Sequence, residues 1–373
     1  MEVVIDGIIY QYQSHGGISR LYNEILPRIC TMDDAVHITL LTSGRGHPSL
    51  PVHAHIHQCF LPPVERLLRP TQLLLPFITQ IRVSMARLKM KIAKGSIWHS
   101  TYYTMLPKWD GPVVVTVVDM IYERFRHLFN GWMDDLLRTQ KRRCVETADM
   151  VICISETTKK DVQEFYNTDA DKIKVVPLAF NHSFRLLNKG EHSFSQPMRR
   201  PFLLYVGDRA HYKNFKGLLH AYSAWGRKKE VDLVVIGKPW SREETNDLAE
   251  LTITDQVHLW EHIDDQTLCF LYNQAIAFVY PSLYEGFGMP LLEAMVCGCP
   301  VVASHIPSTV EIAGECPIYF EPQDRGDLLT ALDTALSEGR DSERVRLGRN
   351  LVNHYSWDKT ARQTLEIYRV LQG

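Results

Sequence analysis

Ile276-Ala277-Phe278-Val279-Tyr280-Pro281-Ser282-Leu283-Tyr284-Glu285-Gly286-Phe287-Gly288-Met289-Pro290-Leu291-Leu292-Glu293-Ala294 decides how this chain folds. An apolar run of strand length ends at Tyr280, a loop with two glycines follows, and a helix-forming run begins near Pro290. Pro290 suits the first helical turn, where its missing N–H costs nothing. Gly286 and Gly288 let bare backbone approach a ligand closely. A helix N-terminus adds free N–H donors and about half a positive charge. Strand, glycine turn and helix start together predict an anion site, and a diphosphate is the natural anion. Glu285 and Glu293 flank that site, although carboxylates repel phosphates. Both are expected to reach past the phosphates and accept hydrogen bonds from hydroxyls, a sugar on one side and a ribose on the other. The plainer alternative makes Glu285 a helix cap and Glu293 a solvated first-turn acid.

Outward from this stretch, short apolar runs alternate with helix-length segments. The strand-like runs are Phe202–Val206, Val231–Ile236, Val257–Trp260, Ile276–Tyr280, Pro300–Ala303 and Pro317–Phe320; helical patterns include Asn214–Trp225 and Pro290–Val296. That alternation predicts an α/β fold with a parallel sheet covered on both faces. The first half repeats the plan less regularly, with strands at Val3–Ile5, Val36–Leu41, Pro112–Val117 and Met150–Ile154. Its helices are expected at Ile18–Ile29, Thr71–Ile92, Trp132–Glu146 and Glu156–Phe165. The stretch 186–200 is polar, broken by glycine and proline, and reads as a linker. The expected division is therefore 1–185, a linker at 186–200, and 201–356. Two doubly wound sheets would face each other across a cleft, with ligands beyond the C-terminal ends of their strands.

Bulk properties agree. The 373 residues suit two domains, and 45% hydrophobic with 23% charged residues suits a packed globular chain. A net charge of −2 argues against a nucleic-acid partner. The eight cysteines are scattered; Cys297 and Cys299 lack a second pair at zinc spacing, so buried thiols are expected and no metal. The N-terminus lacks the pattern of a signal peptide, and no apolar run is long enough to span a bilayer, so a cytoplasmic location is expected.

A second signal follows the first strand of the C-terminal half, Gly207-Asp208-Arg209-Ala210-His211-Tyr212-Lys213-Asn214. Arg209 offers a planar fork for phosphate oxygens and Lys213 a point charge. Solvated surface is the alternative, but the place, at a strand's C-terminal end in the same half as the anion site, favours binding.

The order Gly207-Asp208-Arg209, Lys213-Asn214, then Val235-Ile236-Gly237-Lys238, then Glu285-Gly286-Phe287-Gly288-Met289-Pro290-Leu291-Leu292-Glu293 resembles the retaining family 4 glycosyltransferases (glycosyl transferases group 1). The resemblance covers most of 201–355. It implies the GT-B fold: two Rossmann-like domains facing across a cleft, with the last helix, 357–373, crossing back to the N-terminal domain. Ser356 is a plausible N-cap of that helix. By the same resemblance the C-terminal domain holds a nucleotide-diphosphate sugar and the N-terminal domain an acceptor. Arg209 and Lys213 match the diphosphate-binding pair, Glu285 the carboxylate facing the donor sugar, and Glu293 the one holding the ribose. The backbone of Gly286, Phe287, Gly288 and Met289 would line the phosphates, while Gly237 and Lys238 fall where the base lies. No metal or other cofactor is implied.

Three N-terminal pieces fit less closely. His15-Gly16-Gly17 opens a helix, where Gly16 and Gly17 allow close approach to donor phosphates or simply make a turn. Trp98-His99-Ser100-Thr101-Tyr102-Tyr103 ends a strand in polar aromatic groups; His99, Tyr102 and Tyr103 are candidates for the sugar or acceptor side, though an unpaired histidine is more often structural. Val118-Asp119 stands where many relatives have His-Asp, so either Asp119 takes the missing histidine's contact or the sugar or acceptor preference differs; a turn cap is the alternative. The resemblance implies front-face displacement with the leaving phosphate taking the acceptor's proton. UDP-glucose is the mildly preferred donor over GDP-mannose, and a glycan or lipid-linked acceptor of a polysaccharide is expected. Residues 64–94 carry seven cations against one acid, with Ile81, Met85, Leu88 and Ile92 on one helical face. That pattern suits either peripheral contact with anionic lipid or a packed helix with a solvated basic face. Two rival readings are a sugar-nucleotide epimerase on the same fold and an inactive nucleotide-sugar-binding relative.

Overall fold

The computed structural model describes residues 1–12, 16–43, 50–61, 81, 84–86, 90, 92–104, 106, 108–188, 191 and 200–373. Two compact units are formed, Met1–Leu178 with Ser356–Gly373, and Ala179–Tyr355.

The first unit holds seven parallel strands: β1 (Glu2–Ile5), β2 (His37–Ser43), β3 (Ile56–Leu61), β4 (Ile97–Ser100), β5 (Val113–Val117), β6 (Met150–Cys153) and β7 (Ile173–Val175). Their order is β3-β2-β1-β4-β5-β6-β7. The second holds β8 (Phe202–Val206), β9 (Asp232–Ile236), β10 (Val257–Trp260), β11 (Ala277–Tyr280), β12 (Val301–Ser304) and β13 (Ile318–Phe320), all parallel, in the order β10-β9-β8-β11-β12-β13. Central strands such as β9, β11 and β12 are buried along their whole length, because helices cover both faces of a parallel sheet. In each unit the chain leaves the first strand in one direction and returns to its other side. The reversal points, β1 beside β4 and β8 beside β11, are where doubly wound sheets accept ligands.

The helices start where local chemistry caps them. Ser155, Ser241, Ser342 and Ser356 each accept a backbone N–H three residues on. The helix Trp357–Gln372 belongs to the first unit. Trp357, Leu365 and Tyr368 are buried there, Arg28 meets Asp358 at 2.9 Å, and Arg369 meets Asp33 at 2.6 Å.

The expected strands of the second half all form, each within a residue of its expected ends. In the first half β3 and β7 were not anticipated. β3 lies at a sheet edge with His57 and Phe60 exposed, so its apolar pattern is diluted; β7 has three residues. The first unit ends at Leu178 rather than 185. The following segment is tied to the second unit, Asn181 Nδ2 to Asp265 at 3.1 Å and the Leu187 N–H to Asn273 Oδ1 at 2.9 Å. Most of the basic segment 64–94 and of the expected linker lies outside the described residues. Within that segment Ile81 and Met85 are 42% and 43% exposed while Ile92 is buried. Among the described residues no helix is long and apolar enough to cross a membrane. All eight cysteines are free and buried.

Candidate functional site

In the second unit, the turn after β8 and the glycine loop after β11 meet beside the reversal point. A backbone hydrogen bond joins them, from the Leu283 N–H to the Tyr212 carbonyl at 2.8 Å. The chain leaves β8 through Gly207, at φ +133, and makes a short 3-10 turn, His211–Lys213. Asn214, left-handed at φ 52, then starts the helix Phe215–Ala224. This path carries Lys213 onto the glycine loop. Its Nζ lies 2.6 Å from Glu285 Oε1, with the two side chains 20% and 10% exposed. Ser282 Oγ donates to the same oxygen at 2.6 Å.

The loop ends as anticipated. Gly288, at φ +130, precedes the helix Met289–Val296, whose first turn contains Pro290. That positive φ is a conformation side chains rarely adopt, so the backbone here requires glycine; a Cβ would also press on the Leu291 side-chain tip at 2.9 Å. The first N–H groups of that helix have no intrahelical carbonyl to bond. Phe287 turns its ring inward, buried and edge-on to Tyr355 with centroids 5.9 Å apart. Glu293 is 5% exposed, with a carboxylate oxygen 3.4 Å from the buried Tyr272 hydroxyl. It is therefore not the solvated acid of the plainer alternative.

Arg209 and Lys213 do not share partners. The Arg209 guanidinium is clamped by Glu244, at 2.5 Å from Nε and 3.2 Å from Nη2. It also donates to the carbonyls of Lys238 and Pro239 and lies 4.6 Å over the Trp240 ring. Its Nη1 is buried without a partner among the described residues. A Cβ on Gly237 would stand 2.6 Å from that Nη1 and 2.9 Å from the Gly207 carbonyl, so Gly237 makes room for the arginine. Lys238 is an exposed cation 3.2 Å from Asp208. Glu244 is pushed up by burial, but the Arg209 hydrogen bond and the Ser241 N–H outweigh this and hold it below the usual carboxylate range. The sequence did carry half of that signal. Ser241 and Glu244 form a capping box, but its spacing says nothing of the arginine 35 positions earlier.

The first unit corrects several expectations. His99 is 1% exposed, its Nδ1 2.6 Å from the Tyr368 hydroxyl and its Nε2 2.8 Å from Thr116 Oγ1. Burial lowers its pKa to about 3. It is a neutral core group that ties β4 to the last helix and does not face a sugar. Tyr103 is likewise withdrawn, 3% exposed in the apolar core, while Tyr102 is half-buried against it. Asp119 Oδ1 accepts the Ile121 N–H at 3.1 Å, which is the turn-capping arrangement. Gly16 caps the helix Gly17–Met32 in extended conformation, φ −179, so its backbone conformation does not require glycine.

Two buried features here were not anticipated. Lys141, 1% exposed, donates to Glu123 at 2.9 Å and to the Asp119 carbonyl at 3.1 Å, over the Tyr103 ring at 5.1 Å. Tyr166 binds the other oxygen of Glu123 at 2.5 Å. This buried pair fixes both ends of the segment after β5. Asp6, where β1 ends, accepts hydrogen bonds from Thr101, Ser100 and the Ile8 N–H. Burial raises its pKa against those bonds.

Comparisons with known proteins bear on the family and the fold. A model of Glycosyltransferase Family 4 matches residues 15–184, and a model of Glycosyl transferases group 1 matches 189–352. O-antigen chain mannosyltransferase B of Escherichia coli is 29% identical over 237 residues, 61% of this chain and 62% of that protein. The MMP alpha-(1->4)-mannosyltransferase of Mycolicibacterium hassiacum is 29% identical over 236 residues, 61% of this chain and 56% of that protein. The chain thus spans somewhat under two thirds of the length of these curated relatives. Among solved structures, sucrose-phosphate synthase from Thermosynechococcus elongatus superposes with a TM-score of 0.78 at 20% identity, covering 99% of this chain and 98% of that one. The Anabaena HepE complex with UDP-glucose superposes at 0.71 with 14% identity, covering 99% of each. With one of the two models matched in each unit and the fold shared along the whole chain, the protein belongs to the family 4 glycosyltransferases of the GT-B fold.

Proposed function

We propose that the protein transfers a hexose from a nucleotide-diphosphate sugar to a glycan or lipid-linked acceptor in polysaccharide biosynthesis, with retention at the anomeric carbon. One observation carries the reading: Lys213 and Glu285 are held together on a glycine turn and helix start beside the reversal point of the second sheet. The turn's N–H groups and Lys213 neutralise the diphosphate, and Glu285 accepts a hydroxyl of the donor sugar. Glu293 is assigned to the ribose and the Gly237–Lys238 turn to the base. In this mechanism the bond from the anomeric carbon to phosphate breaks while the acceptor oxygen bonds the same face. The acceptor's proton passes to the departing phosphate oxygen. The chain supplies positioning and charge stabilisation and needs no metal. We assign donor binding to the second unit and acceptor recognition to the first, with Asp119 and the half-buried Tyr102 as its polar candidates. Contact with anionic lipid through 64–94 remains part of the proposal; flotation that is equal on anionic and neutral vesicles excludes it.

The curated relatives favour mannose over the glucose expected from sequence, since both of those described above are named mannosyltransferases. Purified protein offered UDP-glucose and GDP-mannose side by side, with EDTA and a panel of glycan acceptors, tests the reading. Slow donor hydrolysis or transfer of mannose from GDP-mannose, unaffected by EDTA, is the expected result. Nucleotide binding without turnover of any donor overturns it.

A further inference from the structure

A glutamate in a loop has three free side-chain torsions, so something other than backbone must aim it. Glu285 sits between Tyr280 and Met289, in the irregular stretch linking β11 to the next helix. Two donors converge on one of its oxygens. Lys213 Nζ and Ser282 Oγ each lie 2.6 Å from Oε1. A carboxylate accepts about four hydrogen bonds, so with Lys213 and Ser282 on Oε1 and the Tyr280 hydroxyl against the same carboxylate, one acceptor position of Oε2 is left for a ligand. Ser282 is 1% exposed and cannot itself be a surface contact, and Glu285 is 8% exposed. The Leu283 N–H, one residue after the serine, is pinned to the Tyr212 carbonyl at 2.8 Å. Ser282 is therefore held by backbone on the same side as the lysine. The buried Tyr280 hydroxyl, pushed well above its usual range first by burial, then by the Glu285 charge and by its hydrogen bond to Glu285, stays a neutral phenol against the carboxylate.

We propose that Ser282 is a positioning residue for transfer: it sets the rotamer of Glu285 by sharing Oε1 with Lys213, and thereby presents Oε2 to a hydroxyl of the donor sugar. This rests on the reading of Glu285 as the sugar-facing carboxylate. Lys213 alone attracts the carboxylate without direction, whereas a short hydroxyl three residues earlier fixes its angle.

The test is a kinetic cycle on the full chain, with Ser282→Ala, Glu285→Gln and the double variant. A hydrogen bond to a charged group corresponds to about 10–100-fold. Ser282→Ala is therefore expected to lower kcat/KM for the nucleotide sugar by that factor. Affinity for the nucleoside diphosphate alone, which lacks the sugar, should stay within about twofold. In the Glu285→Gln background the serine change should have almost no further effect, because it acts through the carboxylate. Ser282→Cys, which keeps a weaker donor of similar size, should recover part of the loss and also serves if the alanine variant does not fold. Equal effects of Ser282→Ala with and without the glutamate overturn the proposal, as does a parallel loss of diphosphate affinity. Normal turnover of Glu285→Gln would instead overturn the underlying reading, and is seen in a different variant.

Discussion

Replacing Lys213 by alanine separates its ion pair with Glu285 from its proposed part in neutralising the diphosphate. The Lys213–Glu285 pair is 2.6 Å long with side chains 20% and 10% exposed. At an effective dielectric of ~20 the gross attraction is ~6 kcal/mol. Desolvation of both ions offsets most of it, but alanine leaves the carboxylate partly buried with Ser282 as its one remaining donor of the two. Breaking a fully buried pair costs about 3–5 kcal/mol, and the residual exposure here brings the figure to ~2–3 kcal/mol. For a unit of this size that lowers Tm by roughly 4–12 °C. Turnover should fall by about 10²–10³-fold, the scale of losing one charge that stabilises a leaving group. Adding Glu285→Gln to Lys213→Ala removes the orphaned charge. The double variant should regain most of the lost Tm and none of the lost turnover. Thermal melts and initial rates on the same preparations are the assay. A folded Lys213→Ala protein with kcat within about threefold of wild type would refute the catalytic role. Recovery of turnover together with Tm in the double variant would show that only stability had been lost.

Gly237→Ala should cost about 1–3 kcal/mol, because its Cβ meets both Arg209 Nη1 and the Gly207 backbone, and overpacking of that size is seldom absorbed; an unchanged melting curve contradicts this. Lys141→Met should destabilise the first unit by about 3–5 kcal/mol by leaving Glu123 buried with its charge, and Lys141→Met with Glu123→Gln should recover much of it in urea titrations. His99 has a folded pKa near 3, below its unfolded value, so the unfolded state binds the extra proton between the two. Its stability contribution is full above about pH 6.5 and falls by up to ~1.4 kcal/mol per pH unit below it; a His99 NMR signal that titrates near its ordinary value counts against the burial argument. Glu244 is shifted the same way for a carboxylate, so the Arg209 clamp is present above the ordinary glutamate range and weakens as acid protonates it. Glu244→Gln should therefore flatten the acid limb of stability measured by denaturant.

The second sheet was legible because its central strands are nearly continuous apolar runs, buried along their whole length. A run such as Ala277–Tyr280 has little else to become. β3 was not legible for the opposite reason: Ile56-His57-Gln58-Cys59-Phe60-Leu61 is an edge strand with polar residues along it. The glycine loop could be read because Gly288 and Pro290 answer backbone demands that are local in sequence. The partners of Arg209 and Lys141 could not be. Their burial depends on Glu244 and Glu123, which the fold brings from 35 and 18 residues away, and an isolated lysine on a helix otherwise reads as solvated. His99 shows the same limit. A polar group ending a strand resembles a ligand contact until the chain's last helix is seen to cover it.

That covering helix has a consequence for how the protein is made. Synthesis delivers residues 1–178 first, yet the Tyr368 hydroxyl that meets His99 and the arginine that meets Asp33 come last. The intervening unit is contiguous and can close on its own as it emerges from the ribosome. The earlier-born unit must wait with a seam open along the helix Gly17–Met32 until residues 356–373 arrive, so it is the older half of the molecule that chaperones would find unfinished.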